Sequence, residues 1–257
     1  MKHYAYNSPF DMVDKDGNKY RLTVEHDDIA EDPREWSNLS TMVCWHRRYN
    51  LGDKHHFDDM HEMLEDLAYQ AGIEYNEDIN SPDLMTKLAP YYLIKPLYLY
   101  DHSGITMSTS NGYPYNDRWD AGIVGFSYIS KNDVTKECSE YVLNENGERI
   151  KVEHKHANGP STYSYKTKPI TEENWRKRAA EVIDNEVEVY DMYLRGDVYG
   201  YKLEKEVVVE GKCPHCDNVI NTYTEWEEID SCYGYYGDCL EENGIVDDVG
   251  NGLEFVD

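Results

Sequence analysis

Apolar positions along the chain change their spacing several times, and each change marks an element. Short apolar runs at Phe10-Asp-Met12-Val13 and at residues 20–24 flank Asp-Lys-Asp-Gly-Asn at residues 14–18, which predicts two strands joined by a hairpin turn. Residues 41–45, Thr-Met-Val-Cys-Trp, form another β-prone run, and Asp32-Pro33-Arg34-Glu35 before it reads as a helix start with proline in the first turn. Phe57, Met60, Leu64, Leu67 and Ala71 then recur every three or four residues with acids between them, and Gly72 stands where a helix would stop. That spacing predicts an amphipathic helix. Ser81-Pro82-Asp83 caps a short helix through Leu88, and residues 91–100 are β-prone with Pro96 marking an edge or a bend.

Residues 101–122 form a polar Gly/Ser/Asn-rich loop, followed by a strand over residues 123–129 with Gly125 inside it. Residues 131–168 read as a helical turn, a hairpin around Asn144-Glu-Asn-Gly147 and a Lys/His-rich loop. The strongest helix follows. Thr171 caps it, and Trp175, Ala179, Val182, Ile183, Glu186, Val189, Tyr190 and Tyr193 keep a 3.6-residue period broken by one acid, up to Gly196. Two β-prone stretches, residues 197–209 and 224–236, then flank Gly-Lys-Cys-Pro-His-Cys at residues 211–216. The pattern as a whole predicts one α+β domain over residues 1–257. Its mixed or antiparallel sheet packs with two main amphipathic helices, and residues 202–229 form an inserted, protruding hairpin tipped by a cysteine knuckle.

Composition adds a strong bias. The 257 residues include 51 acids and 25 Lys and Arg, for a net charge of −26, and 24 tyrosines supply buriable area that the low hydropathy hides. The charge is uneven: residues 1–80 carry −10, residues 81–170 are neutral and residues 171–257 carry −16. Fields of one sign favour basic surfaces and repel phosphate backbones, so direct nucleic-acid binding is disfavoured. No apolar run approaches a membrane span, and the first residues lack a secretory h-region, so a cytosolic protein is expected.

Two constellations offer chemistry. Cys213-Pro-His-Cys216 resembles a zinc-ribbon knuckle, and Cys232 with Cys239 would complete a structural zinc site, although the last interval is longer than usual. The second is a cluster of His26, Asp27, Asp28, His46, Asp101, His102 and Asp120, groups able to hold a Lewis acid in a metal-dependent hydrolase. Its spacings match no named motif. Asp32, Arg34, Glu35, Arg47 and Arg48 equally fit a polar network at a sheet edge. Ser103 lies in no nucleophile elbow, and Cys44 sits in an apolar strand where thiols are inert.

Five stretches together carry a family resemblance: EWSNLSTMVCWHRRYNLGD at residues 35–53, LYDHSGITM at 99–107, WDAGIVGFSY at 119–128, YDMYLRGDVYGY at 190–201 and SCYGYYG at 231–237. They resemble a family of phage- and mobile-element-encoded proteins with no assigned activity, which implies a genomic setting rather than a reaction. The hairpin at 202–229 departs from that pattern as an insertion. An acidic, Tyr-rich protein in such a setting is expected to bind and inhibit a basic host defence protein of the restriction or CRISPR type, imitating phosphate charge with carboxylates. The expected face is Asp58, Asp59, Glu62, Glu65 and Asp66 on one helix with Glu181, Asp184, Glu188 and Asp191 on the other. The metal-dependent hydrolase and a phage structural accessory are the alternatives.

Overall fold

Asp14 closes the first hairpin by accepting the backbone N–H groups of Asp16 and Asn18, both at 2.9 Å, and the Asn18 side-chain amide at 2.7 Å. These bonds, the Asn18 side chain first, lower its carboxyl pKa to about 2. The computed structural model describes all residues except 1, 77, 103, 111–120, 155–161, 213, 217, 251 and 257. In chain order the hairpin joins β1 (Phe10–Asp14) and β2 (Lys19–His26), and β3 (Thr41–Cys44) follows a 3-10 turn at Pro33–Glu35. That turn replaces the α-helix expected from Asp32-Pro33. Then come α1 (Met60–Gln70), α2 (Ser81–Leu88), β4 (Tyr92–Asp101), β5 (Ile105–Ser108), β6 (Ala121–Ser130) and α3 (Lys131–Glu137). β7 (Ser139–Tyr141), β8 (Lys151–His154), β9 (Thr162–Tyr165) and β10 (Thr167–Pro169) lead to α4 (Trp175–Arg195). The chain ends with β11 (Val198–Lys212), β12 (Val219–Tyr236), α5 (Leu240–Asn243), α6 (Ile245–Val249) and β13 (Leu253–Phe255). The α+β class stands, and every strand pairing among the described residues is antiparallel.

The chain divides into two compact units, one of residues 1–33 and 189–257 and the other of residues 34–188. Each has its own apolar cluster, and the boundary falls inside α4, whose unbroken period conceals it from the sequence.

In the first unit the sheet order is β12-β11-β2-β1-β13. Leu22, in the central strand, lies in register with Phe10 on one side and Leu203 on the other. The same face carries Met12, Val24, Tyr199 and Tyr201, and it is covered by Leu240, Ile245 and Val249 of the two short helices. The phenols buried there keep partners: Tyr201 donates to Asp230 at 2.7 Å and Tyr235 to Asp248 at 2.5 Å. Burial, followed by these carboxylates, pushes both phenol pKa values upward.

Glu241, on α5, ties the N-terminus to this unit by accepting His3 N–H at 3.1 and 3.0 Å and lying 2.7 Å from His3 Nδ1. Burial raises its pKa, but the His3 contacts outweigh that and lower it from 4.5 to about 2. A depressed carboxyl pKa contributes stability above the unfolded value, and the contribution is lost as pH falls through the folded one. Urea midpoints of Glu241→Gln and wild type should therefore differ at pH 7, converge between pH 4.5 and about 2 and coincide below that. A constant gap would contradict the assignment.

In the second unit the sheet order is β3-β6-β4-β5. Asp59 caps α1 by accepting Glu62 N–H at 3.0 Å, while Glu62 accepts Asp58 N–H at 2.6 Å. Met63, Leu64, Leu67 and Ala68 of α1 pack with Leu84 and Leu88 of α2 and with Val43 and Tyr92 of the sheet. Pro96 is tolerated because β5 pairs with β4 only from Tyr98 onward, leaving one edge of β4 open at residue 96. Gly125 permits the close approach of β3 and β6, since a Cβ there would lie 2.0 Å from the Val43 carbonyl oxygen. No helix among the described residues is long and apolar enough to cross a membrane.

Candidate functional site

The His/Asp constellation divides between the units. His26, Asp27 and Asp28 belong to the first, His46, Asp101 and His102 to the second, and Asp120 lies outside the described residues. His26 Nδ1 lies 3.1 Å from the carbonyl oxygen of Gly196, distant in sequence, and Asp27 accepts Ile29 N–H at 3.2 Å, so both groups fasten backbone. In the second unit, His46 Nδ1 accepts the N–H groups of Arg48 and Tyr49 at 3.3 and 3.2 Å. Burial first, then the charges of Arg48 and Arg47, lower the His46 pKa. Asp101 pairs with Arg48 and accepts from Tyr49 at 3.5 Å, and the His102 ring stacks on Tyr100. The loop after β3 borders a cleft of about 630 Å³ lined by His46, Arg47, Tyr49, Asp53 and His55, and its one carboxylate is committed elsewhere. Among the described residues no three His, Cys, Asp or Glu side chains stand close enough to share a metal.

That committed carboxylate, Asp53, belongs to a buried polar network. Arg34, whose side chain is 4% exposed, donates through Nε and Nη2 to the two Asp53 oxygens at 2.8 and 2.7 Å. Its Nη2 also meets the Ser40 carbonyl at 2.8 Å, and its Nη1 lies 3.4 Å from Glu186. Glu186 in turn accepts Leu39 N–H at 2.8 Å, Ser40 N–H at 3.1 Å and the Ser40 hydroxyl at 2.5 Å. Burial pulls the Arg34 pKa down, and its two carboxylates more than reverse this. A polar network was expected around Arg34 with Asp32, Glu35, Arg47 and Arg48, and the structure adds Asp53 and Glu186 as acids bonded to Arg34. The one acid that breaks the apolar period of α4 is Glu186, and this was the sequence signal for the network. The arrangement joins a loop, a strand and a helix, and does structural work.

The cysteines also separate. Cys213 lies outside the described residues, and Cys216 occupies the turn after β11. Cys232 stands opposite Tyr201, thirteen residues along β12 from Val219, where the ladder next to the turn ends. At about 3.3 Å per residue that is on the order of 40 Å of strand between the two. Of the expected set of Cys213, Cys216, Cys232 and Cys239, the structure thus sets Cys216 and Cys232 far apart along the hairpin. Cys239 is buried before α5, and Cys44 is buried with its thiol pushed up to about 12 by burial and then by Asp53, which makes it a poor nucleophile.

The acids expected to form the partner face have mixed surroundings. On α4, Glu181 pairs with Arg178 at 3.2 Å and Lys177 at 3.9 Å, Asp184 with Lys95 at 2.5 Å, and Asp191 with Arg195 at 3.0 Å, while Glu188 is exposed. On α1, Asp59 and Glu62 serve the cap with Asp58, Asp66 accepts from Gln70 at 2.7 Å and Glu65 from Tyr75 at 3.4 Å. The α4 acids are largely offset by their own cations.

The larger acid excess lies in the other unit, where 25 acids and 8 bases leave −17 of the chain's −26. Its sheet ends in β12, an 18-residue edge strand that contains Glu225, Glu227, Glu228 and Asp230 and no Lys, Arg or His. β2 stops supporting β11 at Lys205, so Glu206–Lys212 pairs with β12 alone, as a two-stranded arm. The arm is exposed: Val208 is 71% accessible, Ile220 69% and Tyr223 48%. The cations near it lie on the neighbouring strands: Lys205 of β11 stands opposite Glu227 and Lys212 opposite Val219, Lys19 pairs with Glu206 at 3.5 Å and Arg21 lies 4.2 Å above the Trp226 ring. Glu225, Glu227 and Glu228 form no ion pair among the described residues. The β-prone runs of this hairpin are legible in the sequence, but its acids follow none of the helical spacing that marks those of α1 and α4. Compared with known proteins, the chain matches no family model, no curated protein and no solved structure.

Proposed function

We propose that this chain is an acidic binding protein for a basic, nucleic-acid-handling partner, and that the β11–β12 arm is the contact surface. The observation that carries the reading is the cation-free, exposed run of β12 with Glu225, Glu227 and Glu228 beside exposed Tyr223. Carboxylates on such an edge attract a surface built for phosphates, and tyrosine adds rigid contact area with a hydrogen-bonding tip. The resemblance to phage and mobile-element proteins supports a proposed partner among the restriction or CRISPR-type defence proteins of a host, with inhibition as the proposed consequence.

Capture experiments from host lysate test this. Partners retained at low salt should be released at high salt, and also by excess duplex DNA at constant ionic strength, because DNA competes for the same basic surface. Retention indifferent to both would contradict the reading.

A further inference from the structure

We propose that the outer edge of β12 is a docking strand that takes up an extended, Lys- or Arg-bearing segment of the partner as a sixth strand of the sheet. This rests on the reading above and adds the mode of contact.

The register of β12 against β11 breaks at three places, where Ile220, Ile229 and Gly234 are passed over. Between the first two breaks, residues 221–228 run in unbroken register, from Asn221 opposite Gly211 to Glu228 opposite Glu204. Only β11 neighbours this stretch, and among the described residues no loop backbone bonds to its other side. An open strand edge presents a row of unpaired N–H and C=O groups, and proteins usually guard such edges with Lys, Pro or bulges. Here the bulges bracket the stretch, and within it there is neither Lys nor Pro. All of its residues but Trp226 are exposed.

The side chains select the occupant. Tyr223, Glu225 and Glu227 share one face of the strand, and Thr222, Thr224, Trp226 and Glu228 share the other. A strand added alongside places its side chains about 4.5–5.5 Å from these, close enough for opposite charges to stabilise and like charges to destabilise. Basic residues at alternate positions would meet Glu225 and Glu227, with a further one beside Glu228. A second copy of this chain would bring three more acids and no cation to the same edge, so charge favours a basic segment over self-pairing. Backbone bonds then supply affinity and alternate side chains specificity, as in other strand-addition complexes.

The test uses the full chain and three peptides of about ten residues: one alternating Lys with Thr, one of the same sequence N-methylated at alternate residues along one edge, and one alternating Glu with Thr. Binding is read by calorimetry, and amide exchange of residues 221–228 by NMR. The Lys/Thr peptide should bind and slow exchange in 221–228, with N-methylation weakening it at least tenfold and the Glu/Thr peptide failing to bind. Equal binding of the N-methylated peptide would overturn strand addition while leaving the charge-based function intact. Equal binding of the Glu/Thr peptide, or a dimer whose 221–228 amides are protected without peptide, would overturn the basic occupant. If no peptide binds, strand addition falls, and the lysate capture with DNA competition decides separately whether the functional reading falls with it.

Discussion

Arg34→Met should lower the unfolding free energy of the unit formed by residues 34–188 by about 3–5 kcal/mol, because it leaves two partly buried carboxylates without their cation. Met preserves most of the length and apolar stem of Arg. Asp53 would keep its bond from Met42 N–H at 2.7 Å, and Glu186 its bonds from Leu39 and Ser40. The loss therefore reports the uncompensated charge rather than a collapsed loop. A triple variant, Arg34→Met with Asp53→Asn and Glu186→Gln, should recover part of the loss, since it removes the charges that Arg34 neutralised. Urea titrations followed by far-UV circular dichroism measure both variants. A loss below about 1 kcal/mol for Arg34→Met would show that the network is solvated.

Leu22→Ala should cost about 2–5 kcal/mol in the other unit. Leu22 is fully buried in the central strand of the five-stranded sheet, between Phe10 and Leu203, and its removal leaves a cavity that strands held on both sides cannot close. Hydrogen exchange should quicken first in β2 and in the part of β11 that pairs with it. Val208→Ala on the exposed arm is the control and should stay within about 0.5 kcal/mol. Comparable losses at both positions would mean that the arm, not the sheet centre, carries the packing.

These two positions show how far sequence reasoning reached. The strand that carries Leu22 was legible from the apolar runs on either side of an Asp/Gly turn, whereas its place at the centre of the sheet depends on β11 pairing from far along the chain. Arg34 was legible only as a member of some network, since Asp53 and Glu186 lie 19 and 152 residues away. Only the break in the α4 pattern hinted at Glu186. The two-unit division was hidden for the opposite reason: α4 keeps its period straight through the boundary. The open edge of β12 is a property of topology. It depends on β13 pairing with β1 rather than with β12, and no local pattern in β12 records that. The chemistry expected from His26, Asp27, Asp28, His46, Asp101 and His102 came from composition, and among these residues the observed hydrogen bonds and ring contacts are with backbone, Arg48, Tyr49, Tyr100 and Tyr199.

The most direct test compares charge reversal on the two candidate faces against one basic partner captured from host lysate. One variant carries Glu225→Lys, Glu227→Lys and Glu228→Lys, and the other Glu181→Lys, Asp184→Lys and Glu188→Lys. Circular dichroism confirms that both are folded. Affinity is measured at low salt, where rim charges act most strongly. The predicted result is a loss of about a hundredfold or more for the β12 variant, from roughly 1 kcal/mol per reversed charge, and a loss of less than about tenfold for the α4 variant. The reverse order, or equal and negligible losses, would contradict the assignment of the β11–β12 arm as the contact surface.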